Sequence, residues 1–243
     1  MARSADDLKV NGSMRLSGGV YAATVVNGAL EINGRLECTD LKVNGMLSVN
    51  GNLKAGSAVI NGKLMVEGSV DAARLDTRGK TDIEGGAKIG EIRVEGALDA
   101  EGAVEAEKID IRGHFMSEKG CNAEEFRSIG RFKVEGLLNA EKIKCELYGK
   151  SYAEEIGGME ITITEGQGLN KWLKNIFPGF NMLDGRLIAG SIEGDVVKLE
   201  YTEAGIVRGT DVYIGEGCDI MLVEYKRDFK AAPGSRIKES RKI

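Results

Sequence analysis

Short stretches of alternating apolar and polar residues recur along the first two thirds of the chain, separated by glycine-containing corners. Residues 41–57 contain three apolar-polar-apolar triplets, which run from Leu41 to Val43, from Leu47 to Val49 and from Leu53 to Ala55. Alternation with a period of two is typical of a β-strand, whereas a glycine every six to eleven residues opposes a helix. Each segment of this kind is therefore predicted to form three short strands joined by sharp corners.

Glycine recurs every seventeen residues through the same region. A second row of glycines follows six residues later, and Lys119 interrupts it. A short, unbroken period means that each repeat is one structural unit stacked on the next. Asn-Gly pairs suit sharp corners because both residues tolerate positive φ. The period predicts one coil of a β-helix per repeat. The first row is Gly28, Gly45, Gly62, Gly79, Gly96, Gly113 and Gly130.

Residues seventeen apart form columns of like side chains, as stacked parallel strands require. The apolar columns are predicted to face the core. The polar columns alternate in charge, which favours one register because opposite charges then lie side by side. One inward column is Val26, Val43, Ile60, Thr77, Val94 and Ile111; another is Leu30, Leu47, Leu64, Thr81, Leu98, Phe115 and Phe132.

The pattern divides the chain into five parts. The seventeen-residue repeat is legible from about Leu8 to Thr164, and a stretch with the only tryptophan then interrupts it. Strand patterning resumes after Arg186 with glycines fifteen apart, at Gly194 and Gly209. The predicted parts are a polar tail (1–7), a main stack of about nine coils (8–164), an amphipathic linker or helix (165–185), a second, shorter β-helix segment (186–239) and a basic tail (240–243).

Composition narrows the function classes. The chain has 243 residues, a net charge of −5 and a pI near 5.3, and its basic residues are spread through alternating columns. Nucleic-acid binding would need a basic stripe, and because the sequence shows none we expect no nucleic-acid partner. No signal peptide or run of eighteen apolar residues is visible, which gives a cytoplasmic location as the expectation. Three of the four cysteines, Cys38, Cys121 and Cys145, fall on inward columns and are predicted to be small buried hydrophobes.

Candidate chemistry is sparse. His114, the only histidine, lies at a corner and is predicted to be solvated. Gly79-Lys80-Thr81 resembles the end of a phosphate-binding loop, but Arg74 stands where its first glycine is needed. One column is wholly acidic and is interpreted either as a solvated corner or as a stripe for cations or a basic partner. No catalytic, cofactor-binding or metal-binding residue is predicted. The acidic column is Glu67, Glu84, Glu101, Glu118 and Glu135.

The repeated Val-Asn-Gly and Val-Glu-Gly corners resemble those of the bactofilins, which are polymer-forming bacterial cytoskeletal proteins. The resemblance is carried by the motifs that begin at Leu41, Val66 and Val134, and it covers about residues 8–164. It implies a right-handed, three-sided parallel β-helix and end-to-end, nucleotide-independent assembly into nonpolar filaments. It also implies scaffolding roles in cell shape or in localising cell-wall enzymes.

The ends of the stack are the predicted polymer contacts, because an open coil leaves backbone groups and a core layer uncovered. The predicted partner is the chain itself, with cell-wall or membrane-associated proteins as further partners and the inner membrane face as a further location. The predicted polymer residues are Leu8, Val10, Met14 and Leu16 at one end, and Met221, Val223, Tyr225 and Phe229 at the other.

The linker holds a predicted apolar helical face with three open interpretations: a cap on the stack, a contact between subunits, or a segment that lies on a membrane. Two alternatives to a polymer also remain open for the whole chain. One is a non-polymerising docking scaffold, and the less favoured one is a β-helix enzyme, either an acyltransferase or a polysaccharide lyase. The residues of the helical face are Trp172, Leu173, Ile176, Phe177 and Phe180.

Overall fold

A computed structural model describes residues 6–166 and 185–243 of the chain. The described residues are all-β and contain no helix, and they form a parallel β-solenoid of about 13 turns with successive turns about 17 residues apart. The predicted fold class is therefore confirmed. The right-handed sense that the bactofilin resemblance implies stays a prediction. The predicted helical interruption and its five apolar residues, Trp172 to Phe180, lie outside the described residues.

Eighteen strands make up the described part of the solenoid, and all of their pairings for which a register is defined are parallel. They are β1 (Leu8–Val10), β2 (Ser13–Val26), β3 (Ala29–Val43), β4 (Met46–Asn50), β5 (Leu53–Ile60), β6 (Lys63–Val66), β7 (Val70–Thr77), β8 (Lys80–Ile83), β9 (Ala87–Val94), β10 (Ala97–Ala100), β11 (Val104–Ile111), β12 (His114–Ser117), β13 (Cys121–Leu147), β14 (Lys150–Glu165), β15 (Arg186–Leu199), β16 (Thr202–Ile214), β17 (Asp219–Ala231) and β18 (Arg236–Lys242).

The described residues cluster into two compact units. The first comprises the chain up to Ile109 together with Gly113–Lys119, and the second comprises Asp110–Arg112 with the chain from Gly120. In the first unit each coil has three strand positions, which we call first, second and third in chain order. In the coil that contains β3 they are residues 29–33, 36–38 and 40–43.

The inward columns of the first unit are confirmed. Leu30, Leu47 and Leu64 lie in register on successive coils, and each is at most 2% exposed. Val43 and Ile60 in the neighbouring column are fully buried. Two threonines of these columns, Thr77 and Thr81, share a hydrogen bond of 3.0 Å between their hydroxyls inside the core. That bond satisfies both hydroxyls where an aliphatic residue would otherwise sit.

The seventeen-residue glycine row has a steric cause. A Cβ built on Gly62 would lie 1.9 Å from the carbonyl oxygen of Gly45, and one on Gly45 would lie 2.0 Å from that of Gly28. None of these three has a positive φ, which is found instead at glycines such as Gly34 and Gly136. Close approach of successive corners therefore requires glycine at these positions, whereas the Asn33-Gly34 corner does use the positive φ that Asn-Gly pairs tolerate.

The second unit stacks in the same way with less regular spacing. β14 follows β13 at a shift of eighteen or nineteen residues, and β16 follows β15 at fifteen. Between them β15 pairs directly with β14, from Lys150 opposite Arg186 to Ile163 opposite Leu199. The backbone ladder thus continues from one side of residues 167–184 to the other.

The predicted charge columns are present. Lys54 lies opposite Asp71, which lies opposite Lys88. In a second column a guanidinium nitrogen of Arg74 is 3.2 Å from a carboxylate oxygen of Glu91. Exposed pairs of this kind contribute little stability each, about 0–1 kcal/mol, so their main effect is on register.

Candidate assembly surfaces

The N-terminal edge of the first unit leaves part of a core layer uncovered. Strand β1 pairs with residues 24–26 of β2, whereas no other described strand lies on the outer side of residues 13–21. Met14 and Leu16 belong to inward columns, and the residues they stack on, Leu30 and Ile32, are 2% and 0% exposed. Met14 itself is 45% exposed and Leu16 is half-buried. This edge presents apolar side chains together with the backbone groups of an edge strand.

The other two predicted residues of this edge are less accessible. Leu8 is half-buried, and Val10 is only 2% exposed above Val26. The backbone just before β1 is held by two hydrogen bonds, in which the amides of Ala22 and Ala23 donate to Asp6 and Asp7. The four predicted residues therefore lie at one edge, although two of them expose little side chain.

The C-terminal edge differs from the expected one because the basic residues form a strand. Strand β18 pairs with residues 219–225 of β17, and its Ser240 lies over Val223, which is fully buried. Residues 240–242 therefore belong to a strand and not to a tail, although their side chains are exposed, as expected for a solvated basic end. Since β18 contains four Lys or Arg residues and a single Ile, it is a charged edge strand of the type that resists random strand pairing.

The remaining predicted residues of this end have mixed environments. Met221 is 50% exposed at a corner. Tyr225 and Phe229 are half-buried and stack with their ring centroids 5.3 Å apart and an interplanar angle of 30°. Beyond the end of β18, residues 228–231 of β17 pair with β16 and have no described strand on their outer side.

A ladder of charge in the second unit escaped the sequence interpretation. Glu224 is nearly buried and accepts hydrogen bonds from Arg208 (2.5 Å) and from the Nε of Arg241 (2.8 Å) on the adjacent coils. The hydrogen bonds from Arg208 and Arg241 lower the pKa of Glu224 below its usual range. Arg227 likewise binds Asp211 and lowers its pKa. The sequence indicated a spacing of fifteen in this region, whereas the partners in these pairs are sixteen or seventeen residues apart.

Asparagine side chains form a second kind of ladder. The amide of Asn27 donates to Asn11, that of Asn44 to Asn27 and that of Asn61 to Asn44, each over 2.8 Å. Such ladders are typical of stacked, in-register parallel strands. The sequence interpretation assigned these residues only to corners, whereas they also link successive coils through their side chains.

The acidic column of the first unit borders a cleft of about 380 Å³. The carboxylates of Glu67, Glu84, Glu101 and Glu118 are exposed at its rim, beside Met65 and Met116. Glu135, the fifth member, belongs to the second unit and binds Lys133 over 2.5 Å. No cluster of metal-ligating side chains occurs among the residues that the structure describes.

His114 is less exposed than expected. Its side chain is 29% exposed, and its Nε2 is 3.5 Å from an oxygen of Asp99. Lys80 holds Asp82 (2.8 Å) and Asp99 (3.4 Å), and the hydrogen bond to Asp82 raises the pKa of Lys80. Lys80 therefore takes part in a salt-bridge network on a lateral face.

A shallow groove of about 510 Å³ lies within the second unit. Its floor includes Gly158, Gly194 and Gly209, which follow one another in a column, and Glu193 and Arg208 lie beside them. Each glycine lies close to the backbone or side chains of the coil before it, so a Cβ there would meet atoms within 3 Å. Packing between coils thus explains why glycine occupies the floor of this groove.

The four cysteines are free and buried, as predicted for the three on inward columns. Burial raises the pKa of Cys38 to about 11 and that of Cys121 to about 12. Within the described part of the chain, no helix is long and apolar enough to cross a membrane.

Comparison with known proteins gives two partial similarities. The chain is 42% identical to the uncharacterized protein YhbF of Bacillus subtilis over 93 residues, which are 38% of this chain and 35% of YhbF. It is 38% identical to the uncharacterized protein YhbE of the same organism over 95 residues, 39% of this chain and 38% of YhbE. The matched part thus spans little more than a third of each relative. No protein-family model matches the chain, and no solved structure matches it.

Proposed function

We propose that this chain is a structural subunit that assembles end to end, without nucleotide, into a polymeric scaffold of the bactofilin kind. The proposal assigns it no catalytic role. It includes a cytoplasmic location, at the inner face of the membrane where membrane-associated or cell-wall proteins are its partners. The proposed cellular role is to support cell shape or to localise such proteins.

The uncovered core layer at the N-terminal edge supports this proposal most directly. Met14 and Leu16 continue columns that are otherwise buried, so a further coil from another copy would extend the same core. Apolar burial contributes roughly 25 cal/mol per Å², and edge pairing adds backbone hydrogen bonds. Neither contribution requires a bound nucleotide.

The proposal is tested by negative-stain electron microscopy and sedimentation of the purified chain, across protein concentration and with no nucleotide. We expect filaments that form above a critical concentration. Met14→Lys should raise that concentration at least tenfold, because stacking would bury an unpaired ammonium group. Met46→Lys is the matched control, since Met46 is also 45% exposed but lies on a lateral face between Ala29 and Lys63.

Two outcomes would contradict the proposal. Discrete particles of one chain at every concentration would exclude a polymer. Equal effects of the Met14 and Met46 substitutions would show that the N-terminal edge is not the contact, even if filaments form.

A docking scaffold is the second candidate, and the acidic cleft favours it. Four exposed carboxylates beside two methionines would suit a basic, partly apolar segment of a protein partner. Binding of a fluorescent oligolysine peptide tests the charge component. We expect Glu84→Gln combined with Glu101→Gln to weaken binding at low salt, whereas unchanged binding would argue against this candidate.

A further inference from the structure

We propose that Asn50 is a site of spontaneous deamidation, and that the fold protects Asn44, at the preceding corner of the same coil, from the same reaction. The inference goes beyond the proposed assembly and does not depend on it. It concerns the Asn-Gly corners of the first unit, to which the proposed function gives no chemical role. Water is the only co-reactant that it requires.

The reaction joins a backbone nitrogen to the side chain of the residue before it. The amide nitrogen of Gly51 loses its proton to solvent and attacks the side-chain carbonyl carbon of Asn50. The bond from that carbon to Nδ2 then breaks, ammonia leaves, and a cyclic succinimide remains. Water opens this ring at either carbonyl, which gives aspartate or isoaspartate. Glycine favours the attack because it has no Cβ to obstruct the approach.

The two sites have the same local sequence. Val43-Asn44-Gly45 and Val49-Asn50-Gly51 are identical tripeptides at two corners of one coil. In an unfolded chain both should therefore deamidate at similar rates. A difference between them in the folded chain must come from their hydrogen bonds and from the freedom of each corner to move.

The corner at Asn44 is held at the atoms that take part in the reaction. The amide of Gly45 donates to the carbonyl of Val26 over 3.1 Å, so its proton is not free to leave. The side-chain nitrogen of Asn44 donates to Asn27 over 2.8 Å, and its oxygen accepts from Asn61 over 2.8 Å. Attack at this site therefore requires the corner to open and to lose these bonds.

The corner at Asn50 lacks the bond that restrains the attacking nitrogen. No described residue accepts a hydrogen bond from the amide of Gly51. The next glycines of this column, Gly68 and Gly85, each donate to the carbonyl of the glycine one coil before. Gly34, which precedes Gly51 in the column, has a φ of +117°, so the first corners of the column do not repeat the geometry of the later ones.

The side chain of Asn50 also has a donor on the oxygen that becomes negative during attack. The hydroxyl of Ser48 donates to this oxygen over 3.3 Å, and a donor at such a position stabilises the developing charge. Asn50 and Gly51 are both half-buried, so water reaches the corner. The remaining restraint is the hydrogen bond from the side-chain nitrogen of Asn50 to Asn33, which measures 2.9 Å.

Deamidation would extend the acidic column of the first unit. Asn50 occupies the same column as Glu67 and Glu84, at the seventeen-residue spacing. A carboxylate at position 50 would lie one coil from Glu67, and like charges on neighbouring strands are unfavourable. Isoaspartate would also lengthen a tight corner, where a Cβ on Gly51 would lie 2.8 Å from the carbonyl oxygen of Gly34. The modified chain should therefore be more acidic and less stable.

A single tryptic peptide tests the proposal, because cleavage after Lys42 and Lys54 gives residues 43–54 with both sites. The folded chain is incubated at mildly alkaline pH and digested briefly, and fragment-ion mass spectrometry locates the new acid. We expect deamidation at Asn50 to be about tenfold faster than at Asn44, since each hydrogen bond that must open slows the reaction by a factor of a few. Equal rates at the two sites, or a faster rate at Asn44, would overturn the inference.

Incubation in urea is the control for local sequence, and there the two rates should be similar. If Asn50 reacts faster than Asn44 by the same factor in urea, local sequence causes the difference and protection by the fold is excluded. Ser48→Ala tests the donor on the Asn50 oxygen. It should slow deamidation at Asn50 in the folded chain and leave the rate in urea unchanged, whereas an unchanged rate in the folded chain would contradict the role of the hydroxyl.

Discussion

Glycine at the seventeen-residue positions leaves room for carbonyl groups of the preceding coil. A Cβ on Gly62 would lie 1.9 Å from the Gly45 carbonyl oxygen, so Gly62→Ala must push two corners apart. We expect the free energy of unfolding to fall by about 1–3 kcal/mol, the usual range for overpacking. Gly12→Ala is the control because no atom lies within 4 Å of its added Cβ. Urea unfolding of the two variants checks this, and equal losses would contradict the steric explanation.

Glu224 gives the fold a specific sensitivity to acid. Its pKa is lowered in the folded chain by hydrogen bonds from Arg208 and Arg241, against an ordinary value of 4.5. A lowered folded pKa contributes stability that is present above the unfolded pKa and is lost as pH falls through the folded one. We expect the melting temperature to fall below about pH 4.5, and Glu224→Gln to reduce that fall while lowering stability at pH 7. An unchanged slope below that pH in Glu224→Gln would show that other carboxylates dominate.

At the scale of elements, β14 and β15 stack as if residues 167–184 were absent. The amide of Gly166 donates to the carbonyl of Leu147, and a Cβ on Gly185 would lie 2.2 Å from the same oxygen. The segment thus leaves and re-enters the solenoid at one place. We expect a variant in which a short Gly-Ser linker replaces residues 167–184 to fold with an unchanged circular dichroism spectrum.

The same variant bears on the predicted linker segment around Trp172. Loss of the fold would indicate that residues 167–184 act as a structural cap. A folded variant that no longer assembles would favour a contact between subunits, and one that loses liposome flotation would favour a membrane contact. Trp172→Glu in the full chain is the second variant to compare, because it changes this side chain and keeps the length of the segment constant.

The regular part of the fold could be read from the sequence because each coil repeats the same environment. Leu47 and Ile60 are buried where a period of seventeen places them, and Arg74 meets Glu91 as the alternating column predicts. The periodicity works because in-register parallel strands put residue i directly against residue i+17.

The irregular parts could not be read in the same way. The pairing of Glu224 with Arg208 spans sixteen residues and lies just before a register shift between Gly209 and Asp211, and no fixed period predicts either feature. Strand β18 was taken for a tail because its residues are mostly charged, and composition alone cannot show that its backbone pairs with β17. The repeat located the candidate edges. Only the structure shows that Ser240 of β18 lies over Val223.

At the scale of the whole molecule, a solenoid is stabilised coil by coil, since each coil contacts mainly its neighbours. Local opening should therefore cost least at uncovered edges and most within each unit. We expect amide hydrogen exchange to be fastest in residues 13–21 and in β18, and slowest in interior strands such as β5 and β16.

Assembly should change this exchange pattern in a defined way. An end-to-end contact would pair the edge amides, so protection should rise in residues 13–21 and in β18 when the protein concentration passes the threshold for filaments, while β5 stays as it was. Met14→Lys serves as the comparison at equal concentration, because its edge should remain exposed. If protection rises instead on the lateral face of Glu84 and Glu101, the copies associate side by side. Backbone pairing at the edges would then not join them.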